Sequence, residues 1–161
     1  GYAQALNLPF AHAFHKNSYV GRTFIKPTQK ERESAVHLKL SVLSSVVKGK
    51  RLVLIDDSIV RGTTMASLIR MLKDAGATEV HVRISSPPFL FPCYYGTDVP
   101  SNDQLIASSH TAAEICASIG ADSLGYMKLE DLKQMTGIFH FAKHALTVTT
   151  LYNSPPDCQM H

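Results

Sequence analysis

The stretch that decides the fold is Leu52-Val53-Leu54-Ile55-Asp56-Asp57-Ser58-Ile59-Val60-Arg61-Gly62-Thr63-Thr64. Residues 51–56 carry a continuous apolar run that ends in an acid, which predicts a buried parallel strand. After a short turn, the spacing of Leu68, Ile69 and Leu72 predicts a helix over 63–75, which Gly76 ends. The stretch therefore predicts a strand, a turn and a helix in close succession.

The pattern continues on both sides of this unit. Val80, Val82 and Ile84 alternate with polar residues and predict a half-buried strand. The elements predicted before this unit are a helix end over 1–8, a strand Phe10–Phe14, a polar loop over 16–30 and a helix over 31–47 ended by Gly49. After it, Pro87, Pro88 and Pro92 force a loop, and a capping box of Thr111 with Glu114 opens a helix that runs through Ile119. The last predicted elements are a strand Ser123–Tyr126 and a helix Leu129–Met135.

Strands that alternate with helices predict an α/β fold, an open and mostly parallel sheet with helices on both faces. In such sheets ligands bind beyond the carboxyl ends of the strands. This rule places the site at residues 56–64, at residues 85–92 and in the loop before residue 31.

Composition limits the partners. A chain of 161 residues suits one domain, and no apolar run approaches the roughly 20 residues that span a bilayer. Three scattered cysteines do not suggest a disulfide framework, so we expect a reducing cytoplasm and no membrane partner. Residues 1–83 hold 13 of the 16 Lys and Arg, which favours an anionic ligand. A nucleic-acid surface is less favoured, because these bases are dispersed and lack interleaved aromatic residues.

The turn after the first strong strand carries the chemistry. A helix N-terminus with a nearby glycine and two threonine hydroxyls suits a phosphate group. Asp56 and Asp57 repel phosphate, but they can accept hydrogen bonds from sugar hydroxyls or bind Mg²⁺. Together these groups predict a sugar-phosphate site. The alternative is a solvated strand end followed by a plain helix cap.

The stretch resembles the phosphoribosylpyrophosphate-binding motif of type I phosphoribosyltransferases, which has four apolar residues, two acids and a loop with Gly and Thr. Residues 16–25, which contain Lys16, Tyr19 and Arg22, resemble the mobile catalytic loop of the glutamine phosphoribosylpyrophosphate amidotransferase family. Further segments similar to that family are 79–88, 92–96, 105–107 and 119–126.

The resemblance implies an enzyme that displaces pyrophosphate from phosphoribosylpyrophosphate with ammonia derived from glutamine, giving phosphoribosylamine in the first step of purine synthesis. It implies catalytic roles for Lys16, Tyr19 and Arg22, which would close over the pyrophosphate. The implied substrate-binding residues are Asp56, Asp57, Ser58, Ile59, Val60, Arg61, Gly62, Thr63 and Thr64, with Asp56 and Asp57 also binding Mg²⁺. Purine nucleotides are expected inhibitors, with Lys16 and the loop 86–94 as contacts.

Two other functions fit the same motif. One is a base-salvage phosphoribosyltransferase, which would need a base-recognising hood. The other is a non-catalytic regulator that binds phosphoribosylpyrophosphate and adds a DNA-binding domain.

We expect residues 1–137 to be part of a phosphoribosyltransferase domain, without the family's upstream glutaminase domain and pyrophosphate loop. Residues 138–161 are expected to form a divergent, flexible tail. The 161 residues alone are not expected to use glutamine, and the full-length parent is expected to be a homo-oligomer. An iron–sulfur cluster is not expected, with Cys93 at most an orphan ligand. A zinc site at His140, His144, Cys158 and His161 is a weak alternative.

Overall fold

The computed structural model describes residues 1–16, 40–92 and 104–136. In chain order its elements are α1 (Tyr2–Ala5), β1 (Phe14–Lys16), β2 (Leu40–Val42), α2 (Ser44–Val47), β3 (Arg51–Asp56), α3 (Thr63–Asp74), β4 (Glu79–Ile84), α4 (Ile106–Ser109), α5 (Ala112–Ile119), β5 (Ser123–Tyr126) and α6 (Leu129–Thr136). The chain divides into two compact units, Gly1–Leu52 with Thr63–Val80, and Val53–Gly62 with His81–His161.

The first unit contains a small antiparallel sheet. β1 pairs with β2, with Phe14 opposite Val42 and Lys16 opposite Leu40. The strand predicted over Phe10–Phe14 is therefore wrong for most of its length, since only Phe14 lies in β1 and Phe10 is exposed.

The helix predicted over 31–47 is also wrong over residues 40–42. Leu40 and Leu43 fit a helical spacing, but Leu40 to Val42 pair with β1 instead. Strand pairing between distant segments outweighs local periodicity here. Within residues 40–47 the helix covers Ser44–Val47, and residues 31–39 lie outside the described residues.

Helix α3 supplies most of the buried apolar side chains of this unit. The prediction for this helix is confirmed to within one residue, with Leu68, Ile69 and Leu72 buried together with Met65. Val47 and Val80 are fully buried in the same unit. Gly76 follows the helix with φ +98°, and its carbonyl accepts a hydrogen bond from the Gly49 amide at 2.8 Å. Each buried Leu or Ile contributes roughly 1.5–3 kcal/mol relative to an exposed one.

The second unit holds the parallel pairing. β4 pairs with β5, with Val82 opposite Leu124 and Ile84 opposite Tyr126, and the sheet order is β3-β4-β5. The α/β fold class is thereby confirmed. Both strand predictions, for β4 and for β5, are correct. The proline-containing segment 85–92 has no helix or strand, as expected.

Helix α5 forms where the capping box predicted it. The Thr111 hydroxyl accepts from the Glu114 amide, and the Glu114 carboxylate accepts from the Thr111 amide at 2.7 Å. Gly120 ends the helix in the left-handed conformation. Ile115 and Ile119 point inward and are buried, which places this helix against β5.

The prediction that β3 is a buried strand is wrong on one face. Its side chains alternate between half-buried and exposed, and Val53 and Ile55 are 40% and 46% exposed. β3 is the terminal strand of the described three-stranded sheet, which is why its pattern differs from that of β4, where alternate residues are fully buried.

Across residues 1–16, 40–92 and 104–136, no helix combines the length and the apolar character that a membrane span requires. Residues 17–30, Cys93 and the predicted tail over 138–161 lie outside the described residues.

Candidate functional site

The candidate site is built on residues 57–62, called here the β3–α3 turn. Asp56 is the last residue of β3, and α3 begins at Thr63 directly after the turn. The sequence therefore folds locally as predicted, with a strand end, a short turn and a helix N-terminus. The first amides of a helix have no partner within the helix and carry the positive end of its dipole. Such a helix start attracts an anion.

The two acids at the strand end differ in their surroundings. Asp56 is half-buried and its Oδ1 accepts from the Asp57 amide at 3.0 Å, whereas Asp57 is exposed and its Oδ1 accepts from the Ser58 hydroxyl at 3.1 Å. Burial raises the pKa of the Asp56 carboxyl, and the neighbouring Asp57 charge raises it further, against the Asp57 amide hydrogen bond, which lowers it. The two adjacent carboxylates thus place negative charge at the strand end, with Asp56 partly shielded from water and Asp57 exposed to it.

The backbone of Asp56 is held by the segment after β4. Its carbonyl accepts from the Ser85 amide at 3.0 Å and from the Ser85 hydroxyl at 3.3 Å. These bonds fix the strand end next to residues 85–92, the second segment where the sequence predicts ligand contacts. Ser85 is the first residue of that predicted segment.

Gly62 occupies a position that no other residue type fills easily. Its φ is +78°, in the left-handed region that favours glycine. A Cβ there would stand 3.1 Å from Ile106 Cδ1 and 3.3 Å from Ile119 Cγ2. Ile59 is 3% exposed and anchors the same turn from the other end. Of the predicted substrate-binding residues, Ile59 therefore has a packing role.

A distant segment supports the turn. The Val60 carbonyl accepts from the Ile106 amide at 2.9 Å, and the Arg61 guanidinium donates to the side-chain carbonyl of Gln104. Arg61 and Gln104 line one open cavity of about 300 Å³ together with Leu105, Ile106, Ser109 and His110. Sequence reasoning missed Gln104, because nothing local links it to a residue 43 positions earlier.

The hydroxyls of Ser86 and Tyr126 are buried, and neither has a hydrogen-bond partner among the described residues. Burial also raises the pKa of the Tyr126 phenol. Ser86 follows β4 and Tyr126 ends β5, so both lie at the carboxyl ends of paired parallel strands.

Almost all of the predicted catalytic loop over residues 16–25 lies outside the described residues. Lys16 ends β1 and only its backbone is described, while Tyr19 and Arg22 lie outside the described residues. Within residues 1–16, 40–92 and 104–136, no three or more His, Cys, Asp or Glu side chains group as metal ligands. Cys116, in α5, is a free thiol whose Sγ donates to the Ala121 carbonyl.

An acidic pair at a strand end, followed by a glycine turn and a helix start in an α/β fold, is typical of proteins that bind sugar phosphates or nucleotides. Comparison with known proteins narrows this class. The sequence matches the family described as the phosphoribosyl transferase domain over residues 2–85. The chain belongs to that family.

Two curated relatives carry the name amidophosphoribosyltransferase. The one from Bacillus subtilis (strain 168) is 53% identical over 137 residues, which cover 85% of this chain and 29% of the relative. The one from Archaeoglobus fulgidus is 55% identical over 132 residues, which cover 82% of this chain and 29% of the relative. The chain thus spans less than a third of the length of these relatives.

Two solved structures share the fold. Glutamine phosphoribosylpyrophosphate amidotransferase from B. subtilis, complexed with ADP and GMP, is 50% identical with a TM-score of 0.72 over 89% of this chain and 32% of its own. A structure described as the allosteric regulatory enzyme of purine biosynthesis is 47% identical, with a TM-score of 0.74 over 95% of this chain and 33% of its own.

Proposed function

We propose that this chain supplies the phosphoribosylpyrophosphate-binding part of an amidophosphoribosyltransferase. The reaction displaces pyrophosphate from C1 of phosphoribosylpyrophosphate with ammonia, which the whole enzyme takes from glutamine, and gives phosphoribosylamine. This is the first step of purine synthesis. The names of the relatives support the activity, and the β3–α3 turn supports the substrate.

The observation that carries the proposal is the β3–α3 turn itself, in which Gly62 follows the acid pair Asp56 and Asp57. Gly62 has φ +78° and no Cβ, so the backbone can approach a phosphate closely just before α3 begins. Asp56 and Asp57 stand at the other end of the same turn, where they can accept hydrogen bonds from the ribose hydroxyls. The 5′-phosphate is then bound by residues 58–64.

The acid pair fits a magnesium ion that is shared with substrate. Mg²⁺ is commonly held by one or two carboxylates and by substrate oxygens, so two acids suffice. The half-buried Asp56 beside Asp57 is destabilised by burial and by like charge, and a cation would relieve both effects. Mg²⁺ held by these carboxylates would supply charge neutralisation for the pyrophosphate leaving group.

No side chain needs to act as a nucleophile in this reaction. The transition state is oxocarbenium-like at C1, so the protein contributes orientation and charge stabilisation. Asp56 and Asp57 orient the ribose and place negative charge near its developing positive charge. By resemblance, Lys16, Tyr19 and Arg22 close over the pyrophosphate and exclude water.

The proposal extends to regulation and setting. Purine nucleotides compete at the same site, as the ADP and GMP bound by the B. subtilis structure suggest, with Lys16 and the loop 86–94 as contacts. The buried Ser86 hydroxyl, which lacks a hydrogen-bond partner within the part of the chain that the structure describes, supports a ligand contact there. We further propose that the full-length enzyme is a cytoplasmic homo-oligomer and that residues 1–137 belong to its transferase domain.

The test is calorimetric titration of the 161-residue chain with ribose 5-phosphate, and with phosphoribosylpyrophosphate with and without Mg²⁺. The Asp56→Asn/Asp57→Asn variant should lose the Mg²⁺-assisted part of phosphoribosylpyrophosphate binding. The matched control, Asp74→Asn/Asp131→Asn, removes the same charge from exposed positions of α3 and α6. It should bind like the unsubstituted 161-residue chain, which is called the parent in the experiments below.

Two results would overturn the proposal. One is a chain that is folded by circular dichroism and does not bind ribose 5-phosphate. The other is undiminished Mg²⁺-dependent binding by the Asp56→Asn/Asp57→Asn variant. If binding behaves as expected, ammonia-dependent release of pyrophosphate is the assay for the transfer itself.

A further inference from the structure

We propose that Gln104 is a positioning residue for the β3–α3 turn, acting through Arg61. This inference rests on the proposed function, because it assumes that the turn binds a sugar phosphate. It assigns a role to a side chain outside the turn and outside the family's phosphate motif.

The first support is the contact itself. The Arg61 guanidinium donates to the Gln104 side-chain carbonyl, and the pair is partly buried. A carboxamide accepts this hydrogen bond without neutralising the arginine. Arg61 is thereby held in one orientation while its full positive charge remains available to an anion.

The second support is that neighbouring residues reinforce the same contact. The Ile106 amide donates to the Val60 carbonyl at 2.9 Å, and Ile106 Cδ1 closes the space beside Gly62. Three successive residues of the turn, 60, 61 and 62, thus each meet a residue at 104 or 106. Gln104 provides the only one of these contacts that depends on a polar side chain rather than on backbone or apolar surface, as far as the described residues go.

The third support is the cost of leaving the turn free. A loop that must be ordered when ligand binds spends binding free energy on that ordering, and a preorganised loop does not. Releasing Arg61 from Gln104 would leave a long, flexible side chain to be ordered by the ligand. Affinity for a phosphate should fall while the fold persists.

The test compares ribose 5-phosphate affinity in variants of the full chain. Gln104→Leu, which is similar in size but has no acceptor, should raise the Kd about tenfold, the low end for a hydrogen bond to a charged group. Gln104→Glu should keep amide exchange at residues 58–62 as slow as in the unsubstituted chain, because a carboxylate accepts the same bond, but it should raise the Kd, because it neutralises the arginine. Gln134→Leu, the same change at an exposed position of α6, should leave the Kd unchanged.

A double-mutant cycle separates positioning from a merely structural role. In an Arg61→Ala background, the additional Gln104→Leu change should have no further effect on the Kd, since the residue through which Gln104 acts is gone. Amide hydrogen exchange gives a readout without ligand, and exchange at residues 58–62 should be faster in Gln104→Leu than in the parent.

The outcomes are distinguishable. If the folded parent does not bind ribose 5-phosphate, the proposed function fails and this inference fails with it. If the parent binds but Gln104→Leu binds equally well, only the role of Gln104 is refuted. Additive effects of Arg61→Ala and Gln104→Leu would also refute it, and so would unchanged amide exchange.

Discussion

Replacing Gly62 by alanine should destabilise the chain more than the same change at any glycine whose surroundings are open. Two costs act at Gly62. The residue has φ +78°, and a Cβ would stand 3.1 Å from Ile106 Cδ1 and 3.3 Å from Ile119 Cγ2. Gly120 offers the matched control, because its φ of +74° is almost the same and a Cβ there would meet nothing within 4 Å.

The two costs can be estimated separately. A non-glycine residue in the left-handed region costs about 1–2 kcal/mol. Inserting a methyl group into packed surroundings costs about 1–3 kcal/mol. Ile106 Cδ1 is the end of a flexible side chain and can rotate away, but Ile119 Cγ2 sits on a β-branched carbon in α5 and cannot move without the helix. We therefore expect about 3 kcal/mol for Gly62→Ala and about 1–2 kcal/mol for Gly120→Ala.

The assay is urea unfolding of the parent and both variants, followed by far-ultraviolet circular dichroism. The difference between the two variants isolates the packing cost at Gly62. Equal destabilisation by the two changes, to within about 0.5 kcal/mol, would show that Ile106 and Ile119 do not confine the turn. Loss of ribose 5-phosphate binding by Gly62→Ala, but not by Gly120→Ala, would tie that confinement to the site.

Two further predictions concern pH. Burial raises the pKa of Asp56, so the free energy of unfolding falls as pH rises through the raised value. Asp56→Asn should therefore be more stable than the unsubstituted chain at neutral pH. Urea unfolding of both proteins from about pH 4 to 7 measures this, and the same slope of unfolding free energy against pH in both would refute it. The hydrogen bonds from the Thr111 amide and hydroxyl lower the pKa of Glu114 from its ordinary value of 4.5. The Glu114 carboxylate therefore contributes fully to the stability of the folded chain above pH 4.5, and this contribution is lost as pH falls through the lowered pKa. Thr111→Ala should lower the free energy of unfolding by about 1 kcal/mol at neutral pH. Glu114→Gln should make the unfolding free energy fall less steeply with pH on the acid side. If that acid-side slope is unchanged in Glu114→Gln, the capping box is not formed in solution.

The elements that could be predicted are those specified by adjacent residues. Thr111, Glu114 and Gly120 define both ends of α5 within ten positions, and each acts on backbone groups next to it. The β3–α3 turn is similar, since its glycine, its threonines and its acids are contiguous. These features depend little on the rest of the fold, so local chemistry was sufficient to locate them.

The elements that were mispredicted depend on distant partners. Leu40 to Val42 form a strand because residues 14–16 lie beside them, although their spacing along the chain suits a helix. The apolar run of β3 suggested burial on both faces, but burial depends on which strands and helices cover it, which a single strand does not encode.

The candidate site divides in the same way. Asp56, Gly62 and Thr63 could be found from their motif, and the segment that begins at Ser85 could be found from the strand-end rule, whereas Gln104 could not. Gln104 is an ordinary polar residue in sequence, and only the approach of its segment to Arg61 makes it relevant. Contacts of this kind follow from topology.

Because one face of β3 is exposed, the acid pair at its end also bears on how readily the chain aggregates at high concentration. Among the described strands β3 is terminal, with Val53 and Ile55 exposed, and the unpaired backbone groups of a terminal strand are a template for pairing with other chains. Flanking charges commonly protect such a segment from aggregation. In β3, Arg51 lies at one end of the strand, and Asp56 and Asp57 lie at the other. The residues proposed to hold ribose would therefore also limit aggregation of the chain at high concentration, whether or not a ligand is bound.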